Sequence, residues 1–143
     1  MPLMAELSRL NPPELGKAAG YSNGVLCPPG ARLLMIAGQI AWDSEHRLVG
    51  GDDFVAQFEQ AMKNVLAVVK AAGGGPEHLA ELTMFVTDKQ VYLKYTRELG
   101  KVWRTLCGTH YPAIALVEAR GLLEPGAMIE IRGIAAVNGA SGT

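Results

Sequence analysis

The chain has 143 residues, 49% of them hydrophobic, and carries 13 basic against 14 acidic side chains for a net charge of −1. That is material for a single domain, able to bury roughly 70% of the surface it exposes when unfolded. The balanced charge, without a run of Lys or Arg, excludes a polyanion held by electrostatic attraction, so nucleic acid is not an expected partner.

Residues 1–20 are rich in Pro, Ala and Gly without periodicity, and residues 138–143 are small and polar. Both ends read as loose, which leaves 21–137 as one domain. Within it, Tyr21 to Cys27 and Arg32 to Ile40 are β-rich runs, and the Pro28-Pro29-Gly30 set between them predicts a hairpin. Trp42 to Arg47 is a polar loop. Gly50 to Asp53 then offers a turn and an acidic N-cap for a helix. Phe54, Phe58, Ala61, Met62, Val65, Leu66, Val69 and Ala72 follow helical spacing, Gln57, Gln60, Lys63, Asn64 and Lys70 fill the other face, and Gly73 to Pro76 ends the run. Leu79 to Val86 is short and apolar enough for a buried strand. Tyr92, Tyr95, Leu99, Val102, Trp103 and Leu106 predict a second amphipathic helix, and two strands, from His110 to Glu118 and from Ala127 to Val137, close the chain.

The expected order is ββαβαββ, a two-layer α+β fold with a mixed sheet packed on two helices. Such a sheet has a second face to cover, and burial against copies of itself is the economical solution, so an oligomer is expected. No apolar run reaches the roughly 18 residues of a membrane span, and the N-terminus lacks the features of a secretion signal, which predicts a cytoplasmic protein with no membrane partner. Cys27 and Cys107 lie outside any CxxC spacing and imply neither a disulfide framework nor a zinc site.

Few residues stand out chemically. His46, His78 and His110 show no metal-ligand spacing, and no phosphate-cradling or nucleophile-elbow motif occurs, so neither metal nor cofactor is expected. Cys107 at a helix end reads as a packed thiol. Glu130 differs, being a carboxylate in an apolar strand. Met128, Glu130, Arg132 and Ile134 share one face of it, and Ile129, Ile131 and Gly133 the other. Either Glu130 pairs with Arg132 or a neighbouring strand, or it serves a site. His110, just before a strand, is an acid/base candidate.

Five segments then add up: Tyr21 to Val25, Ile36 to Ile40, Phe85 to Asp88, Tyr111 to Ala113 and Ile129 to Ile131. In this order and spacing they resemble the RidA (YjgF) family over nearly all of 21–137. The resemblance implies a chorismate-mutase-like fold and a homotrimer whose clefts between subunits hydrolyse enamines and imines to keto acid and ammonia. It also implies site residues. Tyr21, Gly38, Gln39 and Glu130 stand where the family places its pocket, with Tyr21 and Glu130 as catalytic candidates and Gly38 and Gln39 for substrate binding; His110, from its own place before the strand, joins the substrate-binding set. Three positions depart: Ile114 replaces an arginine that grips the substrate carboxylate, Leu116 replaces a cysteine, and Ala37 replaces a hydroxyl residue. An isoleucine supplies neither the charge nor the fork of a guanidinium. A cleft lined by Ile114 and Leu116 with Glu130 facing in would suit a less anionic, more hydrophobic small molecule. Two readings stay open, a deaminase-like hydrolase and a non-catalytic binding or regulatory trimer. A ribonuclease is disfavoured by the charge balance.

Overall fold

The computed structural model describes residues 6–139. The loose-end expectations for residues 1–5 and 140–143 lie outside the described residues. Strands β1 (Ser8–Leu10) and β2 (Gly24–Leu26) form a small antiparallel ribbon. The main sheet holds β3 (Arg32–Gln39), β4 (Leu79–Val86), β5 (Ala113–Glu118) and β6 (Ile129–Val137) in the order β3-β6-β4-β5. β6 runs antiparallel to β3 and β4, and β5 runs parallel to β4. Helices α1 (Phe54–Ala71), α2 (Lys89–Lys94) and α3 (Thr96–Cys107) complete the fold.

α1 forms where the periodicity places it. The Asp53 side chain accepts from Ala56 N–H, satisfying a first-turn donor, and Phe54, Phe58, Ala61, Met62, Val65 and Val69 face the sheet. Leu82, Met84 and Val86 from β4, Ile129, Ile131 and Ala135 from β6, and Ile36 from β3 meet them in one core. The order ββαβαββ holds for the domain body.

Four details depart from the sequence-based expectation. Pro28 to Gly30 does not close a hairpin: β2 pairs with β1, and β3 pairs with β6. A turn sets only the chain's direction, whereas Leu34 and Ile36 must reach the core over α1, which the neighbour β6 provides. Second, part of the stretch expected to be loose, Ser8–Leu10, is a strand. Third, the second helix is broken at Tyr95, so the fold has three helices rather than two; Asp88 caps α2, and α3 restarts with Leu99 N–H donating to Tyr95 O. Fourth, Gln57 is not on the outer face but fully buried. Its amide donates to Gly51 O and Gly126 O and its oxygen accepts from Met128 N–H, tying α1 to the start of β6.

The other face of the sheet is open. Leu33 and Met35 of β3 are 58% and 60% exposed, and Val117 of β5 is 43% exposed. Strand register aligns Ile134 with Met35 and Glu130 with Phe85 on this same side.

Candidate functional site

Glu130 sits beside a defect in the sheet. Between the pairs Ile36–Gly133 and Gln39–Ile131, β3 carries one extra residue, a bulge at Ala37 and Gly38. Gly38 thereby comes against the Glu130 side chain, so closely that a Cβ there would stand 2.8 Å from Cδ and 3.0 Å from Cγ. Any larger residue there would make the Glu130 side chain move. Arg132, two residues on, pairs at 3.7 Å with Glu81 across the strands rather than with Glu130. Among the described residues no hydrogen bond or ion pair engages the Glu130 carboxylate.

A recess of about 420 Å³ opens at this point, lined by Gly38, Gln39, Ile40, Trp42, His46, Leu123, Glu124 and Glu130. Its aromatic wall is a stack of Trp42 on His46, ring centroids 4.3 Å apart. The loop holds that pair firmly. Asp43 accepts from the N–H groups of Glu45 and Arg47, which keeps its carboxyl below the usual range, and His46 takes a φ of 59° at the turn. Asn64 and Gln60 of α1 both donate to Trp42 O, anchoring the wall to the core helix. The Trp42 Nε1 is buried without a hydrogen-bond acceptor among the described residues.

Tyr21, Ile114 and Leu116 lie elsewhere. Register pairs Ile114 with Leu82 and Leu116 with Met84, so both side chains point to the helix side of the sheet, whereas Glu130 pairs with Phe85 on the open side. Within one copy of the chain, Ile114 and Leu116 therefore do not share a recess with Glu130. A second recess of about 370 Å³ gathers Tyr21, Tyr92, Trp103, Tyr111, Ile114 and Leu116 among its walls. Trp103 stacks on Tyr111 at 5.9 Å, and burial raises the Tyr92 hydroxyl's pKa above its ordinary 10.0. Ser22 clips the Tyr21 segment to this edge, its N–H donating to Pro112 O and its hydroxyl to Tyr111 O.

His110 joins neither group. Its Nε2 lies 2.7 Å from Leu79 O, and it faces a third recess with Arg9, Glu77 and His78. Burial holds its imidazole below the ordinary 6.5. Burial likewise pushes the Cys107 thiol up to about 12, leaving it a packing group. Among the described residues no three His, Cys, Asp or Glu side chains converge as a metal would require.

Trp42, His46, Leu123 and Glu124 escaped the sequence reading. Trp42 and His46 stood in a polar loop whose return to the sheet depends on the Trp42–Leu48 bridge. Leu123, 99% exposed between β5 and β6, had no periodicity to mark it.

A mixed sheet with helices on one face and a bulge that presents a free carboxylate on the other defines an α+β protein of the Rid (YjgF) type. The chain belongs to the family described as Endoribonuclease L-PSP, whose model matches residues 12–137. By sequence it is similar to the RutC family protein y4sK of Sinorhizobium fredii, 30% identical over 102 residues, covering 71% of this chain and 77% of that one. Protein DfrA of Myxococcus xanthus is 33% identical over 120 residues, covering 83% and 87%. Of solved structures, the Rid-family protein YyfB of Yersinia pestis superposes with a TM-score of 0.83 at 26% identity, covering 93% of this chain and 100% of its own. RidA of an Antarctic Psychrobacter gives 0.63 at 29% identity, covering 85% and 92%.

Proposed function

We propose that this protein is a cytoplasmic homotrimer that binds a small organic molecule in clefts between its subunits and hydrolyses a C=N or enamine bond there. One observation carries the reading. The residues that resemble the family's pocket fall into two recesses on opposite faces of the sheet, Glu130 with Gly38 and Gln39 in one, Tyr21 with Ile114 and Leu116 in the other. They make one site only if the open face of one copy meets the edge strand β5 of the next. The exposed Leu33, Met35 and Val117 give that contact an apolar surface to bury.

In this cleft the unpaired Glu130 carboxylate takes a proton from water as the water oxygen attacks the C=N carbon and passes it to the nitrogen, giving a carbinolamine; it then moves the carbinolamine hydroxyl proton to the same nitrogen, so that C=O forms, the C–N bond breaks and the amine leaves. Tyr21 and the Gly38–Gln39 backbone orient the substrate. Mixing two defective variants tests the arrangement. Glu130→Gln and Tyr21→Phe each lose activity on a panel of imines, the first by about 10²–10⁴-fold, and mixed trimers regain part of it because some clefts pair two intact halves. No regain on mixing, with both variants folded and trimeric, overturns the shared cleft.

Ile114 favours a second reading, in which the trimer binds its ligand without turning it over, because the guanidinium fork of the active relatives is missing. Tight binding with unchanged ligand after long incubation would establish it. RNA cleavage has no support in the charge balance of 13 basic and 14 acidic residues.

A further inference from the structure

We infer that the cleft selects a flat organic cation, a planar group bearing a positively charged nitrogen, rather than the carboxylate-bearing imines implied by the family resemblance. The inference rests on Glu130 being the working carboxylate of the site, and it adds the class of molecule that carboxylate receives.

Charge decides the sign. The Glu130 recess contains two carboxylates, Glu124 and Glu130, and neither Lys nor Arg lines it. The second recess is lined by apolar, aromatic and hydroxyl residues with no charged side chain at all. Whichever copy supplies each half, the linings of these two recesses bring two carboxylates and neither Lys nor Arg to the cleft. Arg132, the nearest cation along β6, is paired with Glu81. An anion entering here meets repulsion and loses water without compensation, while a cation gains both carboxylates.

Shape decides flatness. Trp42 and His46 stack at 4.3 Å with 28° between their planes, and Asn64 and Gln60 fix the Trp42 backbone from the core helix. Such a preorganised wall favours a planar group, and aromatic surface attracts a cation most strongly when desolvated. Amidinium, iminium and protonated amino-heteroaromatic groups share these properties, and each offers an N–H to the Glu130 carboxylate.

Three probes of equal ring size separate head-group charge from shape: benzamidinium, benzamide and benzoate, titrated calorimetrically into the full-length chain. Benzamidinium is expected to bind about tenfold more tightly than benzamide, and benzoate more weakly than either. Glu130→Gln should abolish the preference for benzamidinium over benzamide. Trp42→Ala should weaken both, and Trp42→Phe should restore most of the loss, with unfolding midpoints recorded to show that each variant folds. Benzoate binding as well as benzamidinium, no benzamidinium binding at millimolar concentration, or a cation preference that survives Glu130→Gln would overturn the inference. Its failure is distinct from that of the shared cleft. A monomer that prefers the cation through Glu130 keeps this inference and ends the cleft reading, and a trimer that regains activity on mixing yet prefers benzoate does the reverse.

Discussion

A methyl group at position 38 would stand 2.8 Å from Glu130 Cδ, closer than carbons pack, so Gly38 and Glu130 form one unit. Gly38→Ala must push the flexible end of the Glu130 side chain aside, which displaces the carboxylate at little cost in stability because position 38 is exposed. The expected signature is a ligand affinity that falls further than the urea midpoint does. Equal affinity in the variant would mean that the carboxylate is not poised at that spot. His110 makes a different prediction. Burial lowers its pKa below 6.5, outweighing the Leu79 carbonyl that favours the protonated ring. The unfolded chain then takes up the proton first as pH falls, so the contribution to stability is complete above 6.5 and is lost as pH drops through the folded value. Denaturation at about pH 7.5 and about pH 5.5 should give a lower midpoint at the acid end. His110→Gln, which keeps an N–H for Leu79 O, should flatten that difference. An unchanged difference assigns it to another group.

At the scale of elements, α1 and β4 were legible because their signals are local. An acidic cap, a run of apolar residues at helical spacing and a Gly-rich stop sit within the helix's own sequence, as do the eight residues of Leu79–Val86. Gln57 was misplaced because its amide is answered from Gly51, Gly126 and Met128, the last of them 71 positions away. Replacing it with Leu keeps the volume and strands those three backbone groups, each at about 1–3 kcal/mol when unsatisfied. Gln57→Leu should therefore lower the urea midpoint far more than Asp53→Ala, which removes a cap worth about 1 kcal/mol. If the two variants prove equally stable, the buried amide is not the tie between α1 and β6. The break at Tyr95 was equally invisible, since Tyr92, Leu99 and Trp103 keep their helical spacing across it and only their separate packing, Tyr92 on Phe54 and Trp103 on Tyr111, parts the segments.

For the whole molecule, the open sheet face is the feature that a single copy leaves unresolved. On the proposed assembly, sedimentation of the native chain gives a trimer, and Met35→Asp, which places a charge amid Leu33, Ile134 and Val117, gives a smaller species with unchanged helical circular dichroism. Identical sedimentation of both proteins would remove this face from the contact. By itself the sequence determined the order of elements in the domain body, apart from the break in the second helix, the two faces of β6, the oddity of Glu130 among apolar neighbours and the segments that resemble one family. Those are properties of spacing along the chain, because side-chain direction repeats every two residues in a strand and every 3.6 or so in a helix. Tertiary structure alone decided that β3 lies against β6, that Trp42 and His46 wall the recess of Glu130, and that Ile114 and Leu116 look out of the opposite side of the sheet. Strand pairing and the meeting of loops are contacts between distant residues, chosen by which partners bury the core best, and no short stretch of chain records that choice.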